Sequence, residues 1–228
     1  MKYILILIGL LITATTFAQQ MSYDDWKKEA KTEINLQPEY GNADKTKEQL
    51  AEDRTFIETV LKQDTTRRKG SEHLVSLGFN YLARGDMETA MRRFNQAWLL
   101  DPKNENAYWG FGAIYGTFND YDMAILEYDK GLAINHGSSV ILTDKGTLYF
   151  MQFQHDQNIA KLNNAIDLLK KSYAIDNKNV NTTYKLSICY FLNKDCANAW
   201  KYYNECKKLG GQPIAENYTT ALKNMCGN

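Results

Sequence analysis

The sequence predicts an all-α protein in which helical hairpins stack side by side as a solenoid. Three observations support this fold class. A residue pattern recurs with an offset of 34 residues between positions 71 and 213, and apolar residues within each copy fall at helical spacing. The chain of 228 residues is 44% hydrophobic and 24% charged, which excludes a wholly disordered protein.

Residues 1–18 have the layout of a secretory signal peptide. Lys2 supplies a positive start, an apolar run extends from Tyr3 to Ile12, and small or polar residues lead to Ala18. The run is too short to cross a bilayer, which needs about 20 residues. We expect cleavage after Ala18 and a soluble chain in the periplasm or outside the cell; a short N-terminal anchor is the alternative.

Charge and motif content argue against nucleic-acid binding and catalysis. The 27 basic and 27 acidic residues balance, so broad attraction to a polyanion is not expected. His73, His136 and His155 have no metal-ligand partner at suitable spacing, and the sequence contains no glycine motif for binding phosphate. We therefore predict a protein that is not an enzyme and needs neither cofactor nor metal.

Residues 19–70 are predicted to form an extended segment and a capping helix. Apolar residues at helical spacing place the helix at Thr46–Gln63, where it would cover the first repeat, and Gln63–Gly70 is predicted to be a polar hinge. The segment 19–45 is rich in residues able to fill a groove, namely Trp26, Ile34, Leu36, Pro38 and Tyr40.

Residues 71–213 contain four copies of the repeat. Leu74 and Gly78 recur 34 residues later as Tyr108 and Gly112. Small residues at Gly78 and its counterparts would let the second helix of each hairpin approach the first. The predicted copies are 71–104, 105–138, 139–179, which carries an insertion, and 180–213.

This pattern resembles the tetratricopeptide repeat family, of the kind exported by bacteria. Tyrosine at repeat position 11 and alanine at position 20 occur in all four copies, and the resemblance spans residues 71–213. It implies a right-handed superhelix of helix–turn–helix repeats. Asp86, Asp120 and Asp195 precede second helices and are expected to cap them.

The resemblance also implies a concave groove that binds a protein or peptide. An open apolar groove of this length should have an occupant. One interpretation is that residues 19–45 fold back into it, and the other is a partner peptide anchored on Phe79, Trp109 and Tyr184. The residues predicted to line the groove are Val75, Phe79, Trp109, Thr147, Phe150, Met151, Tyr184, Ile188 and Phe191.

The third copy contains seven extra residues around Phe153 to Asp156. Seven residues are close to two helical turns, so we expect one extra turn on each helix, with Asp156 capping the second. The longer hairpin would project and expose Phe150, Phe153 or Ile159. It is either a contact site or a self-packed hairpin.

The C-terminal region 214–228 is predicted to form a final helix, Ile214–Met225, that caps the last repeat. Cys196 lies near the turn of the fourth hairpin and Cys226 near the end of the final helix, so these two are the disulfide candidates. The alternatives are a bond between Cys189 and Cys226, and four reduced thiols.

These patterns predict a non-enzymatic interaction module or scaffold. One alternative is a small-ligand or glycan-binding protein that uses Trp109, Tyr184 and Phe79 as a stacking platform. Another is an accessory subunit of an envelope complex. The sequence does not identify the protein or peptide partner, and it leaves the oligomeric state open.

Overall fold

The computed structural model describes residues 21–211 and 214–227. The predicted signal peptide 1–18 and Pro213 lie outside these ranges. In the described residues the chain is all α-helical, apart from two short 3-10 helices at Ile34–Leu36 and Pro38–Asn42. The helices are α1 (Tyr23–Glu29), α2 (Lys47–Gln63), α3 (Arg67–Ala83), α4 (Met87–Leu100), α5 (Glu105–Thr117), α6 (Tyr121–Ile134), α7 (Ser139–Asp156), α8 (Ile159–Ile175), α9 (Val180–Leu192), α10 (Cys196–Lys208) and α11 (Glu216–Cys226).

Helices α3 to α10 form four antiparallel hairpins in chain order. Asp86, Asp120 and Asp195 cap the second helices of three of them, each accepting a backbone N–H from the first turn, as predicted. In the third hairpin the prediction was wrong, because Asn158 caps α8. Asp156 instead accepts the backbone N–H of Asn158 and pairs with a lysine.

The first hairpin starts earlier than the sequence pattern indicated. Thr66 caps α3 with its side chain, so the helix begins at Arg67 and only residues 64–66 separate it from α2. The predicted hinge of Gln63–Gly70 is therefore mostly helix. Gly70 is buried in the first turns of α3, where a Cβ would lie 2.6 Å from Val60 of α2.

Each hairpin closes around a small residue on its first helix. A Cβ built on Gly78 would lie 2.4 Å from the Phe94 ring, and one on Gly112 would lie 2.4 Å from the Tyr128 ring. In the fourth hairpin Ser187 takes this place, and its hydroxyl donates to the Ala199 carbonyl at 2.8 Å. The recurrent small residues thus admit large side chains from the second helices.

Contacts between neighbouring hairpins define two faces of the solenoid. Successive first helices touch one another, α3 with α5, α5 with α7, and α7 with α9. Each second helix packs instead against the first helix of the next hairpin, as α4 does against α5. The surface formed by α3, α5, α7 and α9, called here the inner face, is therefore the concave one, and α4, α6, α8 and α10 form the outer face.

The N-terminal segment of residues 21–42 lies on the outer face. Asn95 of α4 is fully buried, and its amide donates to the carbonyls of Asn35 and Gln37, both at 2.9 Å. The side-chain oxygen of Asn95 accepts the backbone N–H of Tyr40 at 3.3 Å. Of the two interpretations of the groove, the one in which this segment fills it is therefore wrong.

Two further contacts hold the same segment against the second hairpin. Trp26 is 1% exposed, and its ring centroid lies 5.3 Å from that of Phe118, just after α5. Lys130 of α6 forms an ion pair with Glu39 at 2.7 Å. The segment prefers this face because α4 and α6 offer a buried amide and a lysine that match its backbone and charge.

The two ends of the solenoid are closed to different extents. Helix α2 packs Phe56 and Val60 against the core but leaves Leu50 44% exposed. Helix α11 is anchored more deeply, because Tyr218 and Leu222 are buried against the fourth hairpin. The C-terminal cap is therefore the better packed end.

Candidate functional site

The centre of the inner face is an aromatic pair from two neighbouring hairpins. Phe79 of α3 and Trp109 of α5 are half-buried, and their ring centroids are 4.1 Å apart. Phe79 also packs edge-on against Phe94, so its ring is held from below by the hairpin core. The residues brought together here are among those predicted to line the groove.

A hydrogen bond fixes the indole of Trp109. Its Nε1–H donates to Oδ2 of Asp144 on α7 at 2.7 Å. Burial raises the pKa of Asp144 above its ordinary value, whereas this hydrogen bond and the charge of Lys185 act in the opposite direction. The bond links the second and third hairpins across the inner face and holds the indole in one orientation.

Lys185 of α9 adds a second charge to the inner face. Burial lowers the pKa of its ammonium group, and the negative charge of Asp144 opposes that shift. Within the described residues Lys185 has no ion pair or side-chain hydrogen bond. The inner face therefore combines an aromatic surface with two charged groups. Asp144 is already bonded to Trp109, whereas the ammonium group of Lys185 is available to a polar group of a partner.

Sequence reasoning missed Asp144 and Lys185. Both occupy repeat position 6, one residue beyond the groove position occupied by Trp109, and the family pattern does not assign that position to the groove. The sequence does contain a signal for them, because each is a charged residue among apolar neighbours on the first helix of a hairpin. Only the inter-hairpin geometry shows that an indole reaches Asp144.

The remaining predicted groove residues divide into three groups. Val75 is only 7% exposed and belongs to the core, so it offers almost no surface to a partner. Thr147, Phe150 and Met151 on α7 are half-buried and stay on the inner face. The residues on α9 lie beside the C-terminal helix α11; they are Tyr184, Ile188 and Phe191.

Helix α11 engages the end of the predicted groove. The Tyr184 ring is 5.7 Å from the Tyr218 ring, and its hydroxyl accepts the backbone N–H of Ala215 at 3.3 Å. Phe191 meets the same Tyr218 ring at 5.6 Å. The suggested platform of Trp109, Tyr184 and Phe79 is therefore divided, since Tyr184 packs edge-on against the cap and the other two pack against each other.

The insertion in the third copy lengthens both helices. Helix α7 has 18 residues and α8 has 17, against 13 and 14 in the second hairpin. The expectation of one extra turn on each helix is confirmed. Ile159 is 53% exposed at the tip, but Phe153 is only 7% exposed, because it packs with Leu162 and Ile166 inside the hairpin.

The cysteines and histidines do not form a metal site in the part of the chain that the structure describes. The three histidines are exposed, and no group of three or more potential metal ligands occurs there. Cys189 and Cys206 are buried. The Cα atoms of Cys196 and Cys226 are 5.3 Å apart, with their sulfurs at bonding distance.

None of the helices in the described ranges has the length and apolar character required to cross a membrane.

In comparisons with known proteins, no model of a protein family matches the chain. The type IV pilus assembly protein PilF of Pseudomonas aeruginosa PAO1 is 27% identical over 102 residues. The match covers 45% of this chain and 40% of PilF, so it spans less than half the length of that relative.

Solved structures resemble the chain over more of its length. PilF of Pseudomonas aeruginosa superposes with a TM-score of 0.59 at 19% identity, covering 70% of this chain and 68% of PilF. A tetratricopeptide repeat protein of Thermus thermophilus gives 0.56 at 14% identity, covering 68% and 80%. MamA gives 0.50 at 20% identity, covering 84% and 96%. Together with four stacked hairpins, these likenesses show that the chain has the fold of the tetratricopeptide repeat proteins.

Proposed function

We propose that the protein is an exported, non-enzymatic interaction module that binds a protein or peptide segment on its inner face. The observation that carries the proposal is the Phe79–Trp109 pair, which lies half-buried on the concave surface. Because the N-terminal segment packs on the outer face, it does not occupy this surface. Fixed aromatic side chains beside a few polar groups are characteristic of binding hot spots.

Two further observations support the place and type of action. The apolar run before Ala18 favours export to the periplasm or beyond. PilF, which shares the fold, is named as an assembly protein, which favours an envelope component as the partner and an accessory role for this chain. The partner itself is not identified by these observations.

A photo-crosslinking experiment in the native cell tests the proposal. A crosslinking residue placed at Ala113 or Thr147, both half-buried on the inner face, should give a discrete product with one partner. The matched position Leu126, 49% exposed on α6, should not give it. Trp109→Ala should reduce the product roughly tenfold or more, because it removes an aromatic anchor.

Products formed only from Leu126, or inner-face products insensitive to Trp109→Ala, would contradict this proposal. Circular dichroism of each variant checks that the helical fold is kept. Thermal unfolding of Trp109→Ala separates a lost contact from a destabilised solenoid.

A further inference from the structure

A second concave surface lies at the edge of the solenoid, away from the inner face. It is an open cleft of about 840 Å³, which falls within the usual range of ~300–1,000 Å³ for ligand pockets. Three separate parts of the chain form it. The lining residues are Tyr23, Phe118, Asn119, Asp120, Tyr121, Asp122, Gln152, His155 and Lys161.

The projecting hairpin forms one wall of this edge cleft. Gln152 and His155 belong to the lengthened end of α7, and Lys161 belongs to the first turn of α8. Because the second hairpin lacks the extra turns, its turn at Phe118–Asp122 lies beside the projection and forms the facing wall. The insertion thus creates one wall of a cleft, which a hairpin packed only against itself would not do.

The aromatic part of the cleft is held rigidly. Tyr23 stacks on Phe118, with ring centroids 5.0 Å apart and planes inclined by 25°. The Tyr23 hydroxyl donates to Oδ2 of Asp120, whose other oxygen caps α6. The N-terminal segment therefore completes the cleft with an aromatic ring that is fixed before any ligand arrives.

Several polar groups in the cleft have no partner of their own. Asp122, Gln152 and His155 form no side-chain hydrogen bond within the described residues. Lys161 is paired with Asp156 at 2.5 Å, so its positive charge is already compensated. The cleft thus offers free acceptors and donors next to aromatic surface.

This combination selects among classes of ligand. A purely apolar ligand would leave the free carboxylate and amide desolvated without partners, which is unfavourable. An anion would meet the carboxylates of Asp120 and Asp122, and a cation would find only Asp122 free to bind it, because Asp120 already accepts from Tyr23 and caps α6. An uncharged ligand with many hydroxyls and some apolar C–H groups satisfies both the polar groups and the parts of the rings that line the cleft.

We propose that the edge cleft binds a neutral saccharide. Its hydroxyls would donate to the carboxylate of Asp122 and pair with the amide of Gln152, while its apolar C–H groups contact the parts of Phe118 and Tyr23 that line the cleft. This site is separate from the inner face, so it does not rest on the proposed protein-binding function.

The test uses a panel of neutral saccharides of up to four rings, built from glucose, mannose, galactose or N-acetylglucosamine. Binding to the mature chain is measured by calorimetry and by 1H–15N NMR. At least one saccharide should shift the amide signals of residues 118–122 and 152–161. Asp122→Ala and Gln152→Ala should each weaken the binding of that saccharide about tenfold, because each variant loses hydrogen bonds to the ligand.

Matched controls lie on the helices of the projecting hairpin without lining the cleft. Gln154→Ala on α7 and Asp167→Ala on α8 change exposed residues of the same types and should leave the affinity unchanged. A glucuronate-containing saccharide should bind more weakly than its neutral counterpart. The proposal is overturned if no neutral saccharide shifts these signals, if the shifts fall on the inner face, or if both cleft variants bind as tightly as the parent.

Discussion

At the scale of single residues, the hairpins depend on how closely two helices approach. Gly112 and Gly116 are one turn apart on α5 but have different surroundings. A Cβ on Gly112 would lie 2.4 Å from the Tyr128 ring, whereas the nearest atom to a Cβ on Gly116 is Leu148 Cδ2 at 3.5 Å. The same residue type therefore serves close packing at one position and merely lowers helix propensity at the other.

Gly112→Ala should destabilise the protein by ~1–3 kcal/mol, because the new methyl group overpacks the hairpin. Gly116→Ala should be neutral or stabilise it by up to ~1 kcal/mol, since alanine favours the helix and the space is open. Urea unfolding of both variants measures the difference. Equal effects would show that helix propensity alone governs these positions.

A second residue-scale feature is the buried carboxylate of Glu127. The residue is 1% exposed, Oε1 accepts from Lys130 at 3.0 Å, and Oε2 has no hydrogen-bond partner in the described residues. Burial raises the pKa of Glu127 in the folded state, opposed by Lys130. The folded state therefore favours the protonated carboxyl group. The contribution of Glu127 to the free energy of unfolding is greatest at acidic pH, and it declines as the pH rises through the raised pKa.

Glu127→Gln removes this titration. Between pH 4 and pH 7 the stability of the variant relative to the parent should shift in favour of glutamine. Chemical unfolding at both pH values gives the comparison, with exposed Glu58→Gln as the control. A shift in the opposite direction would contradict the assigned sign.

At the scale of elements, the N-terminal segment shows what local patterns leave out. Glu39, Tyr40 and Asn42 have positive φ angles, a conformation that costs roughly 1–2 kcal/mol per residue. The segment adopts it because Asn95 and Lys130 hold its backbone and its acid on the outer face. Sequence reasoning recognised the apolar residues of this segment but had no signal for which face of the solenoid they meet.

Asn95→Ala should detach this segment, since it removes three hydrogen bonds that are otherwise buried. We expect a loss of roughly 2–3 kcal/mol and much faster hydrogen exchange at residues 34–42. Exposed Asn80→Ala is the matched control. Unchanged exchange in Asn95→Ala would show that the aromatic contacts alone keep the segment in place.

At the scale of the whole molecule, stability depends on the ends, because each hairpin packs only against its neighbours. The C-terminal cap packs against Tyr184 and Phe191, and its last turn lies near Cys196. Trp200 also donates to the Gly227 carbonyl at 2.9 Å. We therefore expect the cap and the fourth hairpin to unfold together.

A bond between Cys196 and Cys226 should add ~2–4 kcal/mol by closing this end of the chain. Non-reducing mass spectrometry with trapped thiols should show two free thiols, from Cys189 and Cys206. Reduction of the bond, or replacement of both Cys196 and Cys226 by serine, should lower the melting temperature. Hydrogen exchange should then become faster in α11, with little change in α3. Four free thiols in the untreated protein would refute the pairing.

The sequence by itself determined the hairpins, their order, three of their caps and the lengthened third copy. These features follow from contacts between residues close in the chain, such as Gly112 with Tyr128, and short-range patterns record them. The tertiary structure alone decided which face the N-terminal segment covers, that Trp109 reaches Asp144, and that Tyr23 completes a cleft with the projecting hairpin. Those outcomes depend on the angles between hairpins and on partners distant in sequence, which no local spacing encodes.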